Sequence, residues 1–298
     1  MFDAVIIGAG TAGMTAGIYL ARRGMSAVIL ENNTYGGQIV NSREVENYPG
    51  LKNISGFDFA TELYEQVTSL GGHIEFANVT GIKTDTDCKT VMTTDKEYKC
   101  KNIIIASGAA NRKLGLEEED ELIGRGISYC ATCDGSFFRD KPVAVVGGGN
   151  TALDDAKFLS EICAEVLIIH RRDEFRGDSR TVRELSELDN VKFVMNSLPV
   201  KLTTDDSGKL AGVIIRDKIS GAVTELSVKG LFVAVGQVPN TAFLKDSGVN
   251  LDKYGYVIAG EDCRTNIEGI YAAGDCRTKA LRQLTTAAAD GSIAATLI

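Results

Sequence analysis

Tryptophan is absent from this chain of 298 residues, and histidine occurs only twice, as His73 and His170. So few imidazoles leave little scope for histidine-built zinc sites or for a histidine general base. No apolar run approaches the ~18 residues that a membrane-spanning helix needs. Positive charge is in the minority: 32 Lys and Arg stand against 40 Asp and Glu, for a net charge of -8 and a pI of about 5.0. Nucleic acid and anionic membrane both demand a basic surface, so neither is expected as the main partner, although a local basic cluster could still hold a phosphate. Met1-Phe2-Asp3 runs straight into the strand-like Ala4–Ile7, without the basic flank and cleavage site of a secretory signal, and the cytosol is therefore expected. Seven cysteines, an odd number without a secretion signal, do not read as a disulfide framework.

What is present points elsewhere. Hydrophobic residues make up 44% and charged residues 24%, as in a packed protein with room for two domains. Only one cysteine pair is tightly spaced, in Cys130-Ala131-Thr132-Cys133-Asp134. Reduced, one such thiol can attack a foreign disulfide and the other can resolve the mixed species. Asp134 follows at once, placed to move a proton. Half a zinc site has the same spacing, but it needs two more ligands, and the remaining cysteines are scattered. No metal is expected.

The pair lies between two glycine-rich turns. Ala4–Ile7 ends in Gly8-Ala9-Gly10-Thr11-Ala12-Gly13, Met14–Arg23 reads as a helix, and Ser26–Leu30 is a strand ending at Glu31. Strand, glycine turn, helix and strand form the dinucleotide-binding plan. Its glycines admit a pyrophosphate, its helix N-terminus favours the negative charge, and its acidic residue can accept from ribose hydroxyls. Val143–Val146, Gly147-Gly148-Gly149-Asn150-Thr151-Ala152, a helix to about Cys163 and the strand Val166–Ile169 repeat it. Gly8 to Glu31 and Gly147 to His170 both span 23 residues. The second copy carries His170-Arg171-Arg172, then Arg176 and Arg180, where the first has Glu31. Arginines there suit a 2′-phosphate; the alternative is an ordinary solvated basic turn.

Between and after these units the pattern is less sharp. Tyr35–Tyr48 reads as a loop, Phe57–Leu70 as an amphipathic helix, and Ile74–Tyr98 as short strands with polar turns. Ile103–Ile105 is a buried strand ending in Ala106-Ser107-Gly108. Glu117–Glu121 reads as a solvated acidic turn. Val191–Met195, Val213–Arg216 and Thr224–Val228 look like a small β-meander, and Leu231–Gly236 parallels Ile103–Gly108. Gly269–Asp275 is a strand whose Asp275 can bond a polyol or cap a helix. Residues 287–297 read as an alanine-rich helix.

Taken in order, Gly8–Gly13, Gly36-Gly37-Gln38, Glu46–Gly50, Cys130–Gly135, Gly147–Ala152, His170–Arg176, Gly274-Asp275 and Arg282-Gln283 resemble the low-molecular-weight thioredoxin reductase family of flavoproteins over nearly the whole chain. The resemblance implies an α/β chain of two Rossmann-like domains: a discontinuous FAD domain, 1–111 and 239–298, and an inserted NADPH domain, 112–238, carrying the dithiol. It implies that Gly8, Gly10, Gly13, Glu31, Gln38, Asn47, Asp275, Arg282 and Gln283 hold FAD. NADPH would be held by Gly147, Gly149, Asn150, Thr151, His170, Arg171, Arg172 and Arg176. Cys133 would face the flavin, Cys130 would exchange with thioredoxin, and Asp134 would carry the proton. A homodimer and a rotation of the NADPH domain about Asn111–Leu114 and Gly236–Pro239 are also implied. Larger flavin disulfide reductases place their cysteines soon after the first glycine turn and use a C-terminal histidine; here no cysteine precedes Cys88 and no histidine follows His170. Two readings remain as alternatives, a ferredoxin-linked flavin thioredoxin reductase and an FAD-dependent dithiol oxidase. Two departures from the family are a Gly177 where a small Ala is usual, expected to matter little, and an end at Ile298 inside the last helix, where relatives usually run further.

Overall fold

The computed structural model describes residues 1–42, 44–85 and 88–298. Arg43, inside the expected loop Tyr35–Tyr48, and positions 86–87, inside the expected strands of Ile74–Tyr98, lie outside the described residues. The chain divides into two compact units, Met1–Ala110 with Val238–Ile298, and Asn111–Gln237.

The first unit is built on a mixed sheet. His73–Phe76, Ala27–Glu31, Phe2–Ile7 and Glu97–Ile105 lie side by side and parallel, with Ile7 opposite both Leu30 and Ile105. The far edge of Glu97–Ile105 serves two partners in turn. Residues 97–100 pair antiparallel with Lys89–Thr93, and residues 103–105 pair parallel with Ile270–Ala272. Ala4-Val5-Ile6-Ile7 is a continuous apolar run because both faces are covered. Ala4 and Ile6 join Met14, Ala16 and Leu20 on one side, while Val5 and Ile7 join Val28, Leu30, Ile103 and Val257 on the other.

The helix Thr11–Arg22 follows the glycine turn, and Gly24, at φ +67, ends it. Small residues let the last helix, Leu284–Thr296, lie against it. A Cβ on Gly291 would stand 2.2 Å from the Ala12 carbonyl oxygen. The expected amphipathic helix is Gly56–Ser69, capped by the Ser55 hydroxyl, which accepts from the Asp58 amide at 3.0 Å.

The second unit holds an all-parallel sheet in the order Val191–Val194, Glu165–Ile169, Pro142–Gly147, Gly230–Ala234 and Ile127–Ser128. Val143 and Val145 face the helix Asn150–Ser160 through Ala152, Leu153, Ala156 and Leu159. Ala144 and Val146 face a three-stranded antiparallel meander through Leu202, Leu210, Val213 and Ile215. Both units are thus Rossmann-like α/β assemblies.

Two expectations change here. Val191–Met195 is not part of the meander: Val191–Val194 extends the parallel sheet, pairing Val191 with Val166 and Val194 with Ile169. The meander consists of Ser197–Thr204, Leu210–Asp217 and Val223–Ser227, and Asn196, at φ +52, turns the chain into it. The acidic run Glu117–Glu121 is not wholly solvated. Its other four residues are exposed, but Glu119 is 2% exposed and fully bonded.

Candidate active site

In the first unit, the turn after Phe2–Ile7 separates glycines that the protein itself requires from one it does not. Gly8 sits at φ +107, and a Cβ there would be 2.4 Å from the Ala106 carbonyl oxygen; a Cβ on Gly13 would be 1.8 Å from the Gly8 oxygen. Gly10, the N-cap of Thr11–Arg22, would meet nothing nearer than the Gly36 oxygen at 3.9 Å. The space left by Gly10 opens over a helix N-terminus, where free N–H groups and the helix dipole favour a phosphate. Glu31 stands beside it. Its Oε2 accepts from the Ala9 amide at 2.8 Å and its Oε1 from the Asn33 amide at 3.1 Å. Each oxygen keeps a lone pair for a ribose hydroxyl.

The remaining residues expected at this cofactor lie in the same unit. Gln38 Nε2 donates to the Ala109 carbonyl at 2.6 Å. Asn47 Nδ2 donates to Gln283 Oε1 at 3.2 Å, and Gln283 begins the last helix in a reciprocal cap with Thr286. Arg282 donates to the carbonyls of Asp275 and Arg277, both at 3.3 Å, and lies over the Tyr256 ring at 4.3 Å. Asp275 is the telling residue. Its Oδ1 is buried without a hydrogen-bond partner among the described residues, and burial pushes its pKa up, with Lys279 and Arg282 pulling it back. A buried acceptor left open is costly unless a ligand hydroxyl meets it. With the open cradle at Gly10 and the pinned carboxylate of Glu31, these residues fit a dinucleotide that carries a polyol chain.

Sequence reasoning missed the group that holds this loop. Asp290, on the last helix, accepts from the Gly274 amide, Arg277 Nε, Arg277 Nη2 and Lys279 Nζ, each at 2.8 Å. An Asp inside an alanine-rich helix, three residues beyond Ala287, is the only signal for it.

In the second unit the glycine turn repeats the same division of labour. A Cβ on Gly147 would be 2.5 Å from the Ala234 oxygen, whereas Gly149, the N-cap of Asn150–Ser160, has nothing within 4 Å. Gly148 is new: its missing side chain makes room for His170, whose ring carbon Cε1 would be 2.1 Å from a Cβ. His170, expected among the phosphate-binding residues, is buried. The ring is 4% exposed, stacks on Phe175 at 5.2 Å, and bonds through Nε2 to the Glu174 carbonyl at 3.1 Å. Burial pushes its pKa down, so it packs as a neutral ring beneath the turn.

The arginines behave otherwise. Arg171, Arg172 and Arg176 are exposed and form no ion pair among the described residues. The Arg176 and Gly177 amides donate to the Gly148 oxygen at 2.7 and 3.2 Å, latching the basic turn onto the glycine turn. Asn150 Oδ1 accepts from the Asp178 amide at 2.8 Å and braces the same junction. Gly177 has more consequence than expected, since a Cβ would stand 2.5 Å from Leu153 Cδ1 and 3.0 Å from the Asn150 amide nitrogen. Thr151 is exposed in the first turn of the helix.

Cys130 and Cys133 form a disulfide with Cα atoms 5.3 Å apart. Cys130 is the N-cap of the short helix Ala131–Asp134. The turn is seated on Asn150–Ser160: Ala131 is buried with Ala152, Ala156 and Leu159, and a Cβ on Gly135 would meet Phe158 Cε1 at 2.9 Å. Asp134 is half-buried, and burial pushes its pKa up, against the pull of the Ser128 hydroxyl, which donates to Oδ2 at 2.6 Å. Ser128 also accepts from the Cys130 amide at 3.1 Å. It was missed in the sequence, where a serine two residues before Cys130 is its only trace. Burial pushes the thiols of Cys100, Cys163 and Cys276 up to about 11 and that of Cys263 up to about 12, so these are inert in neutral solution.

Residues 2–291 match the family model of the pyridine nucleotide-disulphide oxidoreductases. The chain belongs to that family. Within it, the similarity runs to thioredoxin reductases of low molecular weight. The thioredoxin reductase of Listeria monocytogenes is 40% identical over 99% of this chain and 92% of its own length. That of Bacillus subtilis is 38% identical over 99% of this chain and 93% of its own. The crystal structure of thioredoxin reductase from Streptococcus pyogenes superposes with a TM-score of 0.94 at 40% identity, covering 99% of this chain and 96% of the other. The chain is accordingly an oxidoreductase of a family that uses flavin and pyridine nucleotide.

Proposed function

We propose that the chain is a thioredoxin-disulfide reductase that draws electrons from NADPH through FAD and delivers them through the Cys130–Cys133 pair. The observation that carries this reading is the disulfide seated beside Asp134, a carboxylate whose pKa is pushed up by burial, in the unit that also holds a nucleotide-type glycine turn. When bound, the flavin supplies the passage of electrons between a two-electron hydride donor and a disulfide. The protein's own residues do the rest. Cys133 takes the position facing the electron input, and Cys130 attacks the partner disulfide as a thiolate. That attack forms a bond from Cys130 to one partner sulfur and releases the other as a thiolate; Cys133 then attacks the Cys130 sulfur and displaces the partner's remaining sulfur, which restores the Cys130–Cys133 bond and leaves the partner as a dithiol. Asp134 exchanges the proton through the carboxyl whose Oδ2 is fixed by Ser128.

NADPH is favoured over NADH because Arg171, Arg172 and Arg176 present unpaired guanidiniums beside a turn left open at Gly149. The same features disfavour ferredoxin as donor and oxygen as acceptor, since neither reaction needs a 2′-phosphate site. A cytosolic homodimer acting on a thioredoxin-type protein completes the reading. No helix among the described residues is long and apolar enough to cross a membrane. Anaerobic titration of the holoenzyme with NADPH, NADH and reduced ferredoxin tests the donor: NADPH should bleach the flavin at stoichiometric amounts. Bleaching by ferredoxin alone would overturn the assignment. Cys130→Ser and Cys133→Ser should each abolish thioredoxin turnover, and full turnover in either refutes the dithiol scheme.

A further inference from the structure

Four of the five residues in Glu117–Glu121 face solvent, and Glu119 does not. The backbone at Glu118 takes φ +64, a left-handed conformation that is unfavourable for a non-glycine residue and turns Glu119 inward. Its carboxylate then collects four donors. Oε1 accepts from the Leu114 amide and from Tyr129 Oη, each at 2.8 Å; Oε2 accepts from the Gly115 amide at 2.7 Å and the Leu116 amide at 3.3 Å. Burial and the adjacent Glu119 carboxylate push the Tyr129 phenol above its usual range, which keeps it a donor.

These bonds join two segments with different duties. Leu114–Leu116 follows the point where the chain crosses into the second unit. There the Arg112 amide donates to the Gly236 oxygen at 3.0 Å and Gln237 Nε2 to Asn111 Oδ1 at 2.9 Å. Tyr129 immediately precedes Cys130. The strand end is therefore anchored twice, by Ser128 to Asp134 and by Tyr129 to Glu119.

We propose that Glu119 and Tyr129 are positioning residues for the dithiol, tying the Cys130 side of the turn to the crossing segment so that the two thiols stay close when the disulfide is open. This rests on the reading of Cys130–Cys133 as a redox pair. The anchors set the effective concentration of one thiol at the other. While the bond is closed, the covalent link fixes the turn. Once two electrons and two protons open it, only the surrounding anchors hold the sulfurs near each other. A looser reduced turn has more conformations to lose on closing, so the disulfide becomes easier to reduce. The clamp acts on the balance between the two states, not on the fold as a whole.

The test is the equilibrium of the holoenzyme with glutathione, in which two glutathione thiols become one glutathione disulfide as Cys130–Cys133 opens. The redox state of the peptide carrying both cysteines is read by alkylation and mass spectrometry across a series of glutathione ratios. Tyr129→Phe removes one hydroxyl, and Glu119→Gln keeps the shape of the carboxylate. Each should shift the equilibrium toward the dithiol by about three- to tenfold, the larger figure corresponding to about 30 mV. An equilibrium within twofold of the parent in Tyr129→Phe, with equal loss of thermal stability in the oxidised and reduced proteins, would reduce Glu119 to a loop cap and overturn the proposal. Tyr129→Phe decides the matter alone if Glu119→Gln does not fold. The measurement needs neither thioredoxin nor NADPH, so a failure of the substrate or donor assignment appears separately, in turnover by the parent enzyme.

Discussion

Replacing Asp290 by alanine strands two buried cations. The side chains of Arg277, Lys279 and Asp290 are 1%, 3% and 4% exposed. Glu261, the other partner of Arg277, is 89% exposed and adds little. Breaking a buried ion pair by removing one partner costs about 3–5 kcal/mol, because the charge left behind is neither hydrated nor paired. In a unit of this size each kcal/mol moves the melting temperature by about 2–4 °C, so Asp290→Ala should melt on the order of 10 °C lower. The flavin should leave earlier in the same experiment, since the Gly274 amide loses its acceptor and Asp275 its support.

The pH dependence adds an independent check. Burial pushes the Asp290 carboxyl up, but Arg277, Lys279 and the Gly274 amide outweigh it and hold the pKa below the usual carboxylate range. A depressed folded pKa contributes stability that is present above the unfolded value, near 3.8, and is lost as pH falls through the folded one. The gap between parent and variant should therefore be full at pH 7 and narrow below that point. Far-UV circular dichroism and flavin fluorescence, followed on heating at pH 7 and in acid, make the measurement. A variant melting within about 3 °C of the parent at pH 7 would refute the stranded-charge reasoning.

Other perturbations separate binding from folding. Gly10→Ala should give folded protein that still melts cooperatively, at the temperature of the flavin-free parent, but has lost its flavin absorbance, whereas Gly13→Ala, with its Cβ 1.8 Å from the Gly8 oxygen, should fail to give folded protein; equal behaviour of the two would contradict the cradle. On the proposed reading, Arg171→Gln combined with Arg172→Gln removes two charged hydrogen bonds to a 2′-phosphate. It should raise the KM for NADPH by about ten- to a hundredfold and leave that for NADH nearly unchanged; equal effects on both coenzymes would count against the phosphate site. Burial, then the neighbouring Asp154, pushes Asp155 up to about 7 from a usual 3.8. Its unfolded form ionises first as pH rises, so stability is lost between these values. Asp155→Asn should match the parent near pH 4 and exceed it by up to about 4 kcal/mol above pH 7 in urea unfolding; a difference that does not change between the two pH values would rule this out.

The parts of the site legible in the sequence are those fixed by local geometry. A strand, a glycine turn and a helix must follow one another within a few residues, so Gly8–Gly13 and Gly147–Ala152 announce themselves, and so does the cysteine pair. Roles set by what lies across the fold are hidden. His170 occupies the phosphate-reading position by count, yet Gly148 opens a slot behind it that only three-dimensional packing displays. Glu119 sits among four solvated acids, and nothing nearby in sequence marks the three amides and one phenol that receive it. Ser197–Thr204 was unrecognised because Pro199 and exposed residues break its alternation, and its pairing with Leu210–Asp217 is irregular between Pro199 and Lys201. Val191–Val194 was legible as a strand but not as a parallel one, because its partner is the earlier strand Glu165–Ile169.

The divided edge of Glu97–Ile105 bears on how the chain is made. Its upper half, Ile103–Ile105, is completed only by Ile270–Ala272, which is synthesised after the whole of Asn111–Gln237. The inserted unit thus has every strand of its parallel sheet and of its meander as soon as Gly230–Ala234 has emerged, while the other unit still presents an open backbone edge. Such edges invite pairing with other chains, and contacts this far apart in sequence form slowly. In translation, the guest is finished before its host, and the host's last strand arrives as a seal on an edge that has been waiting since residue 105.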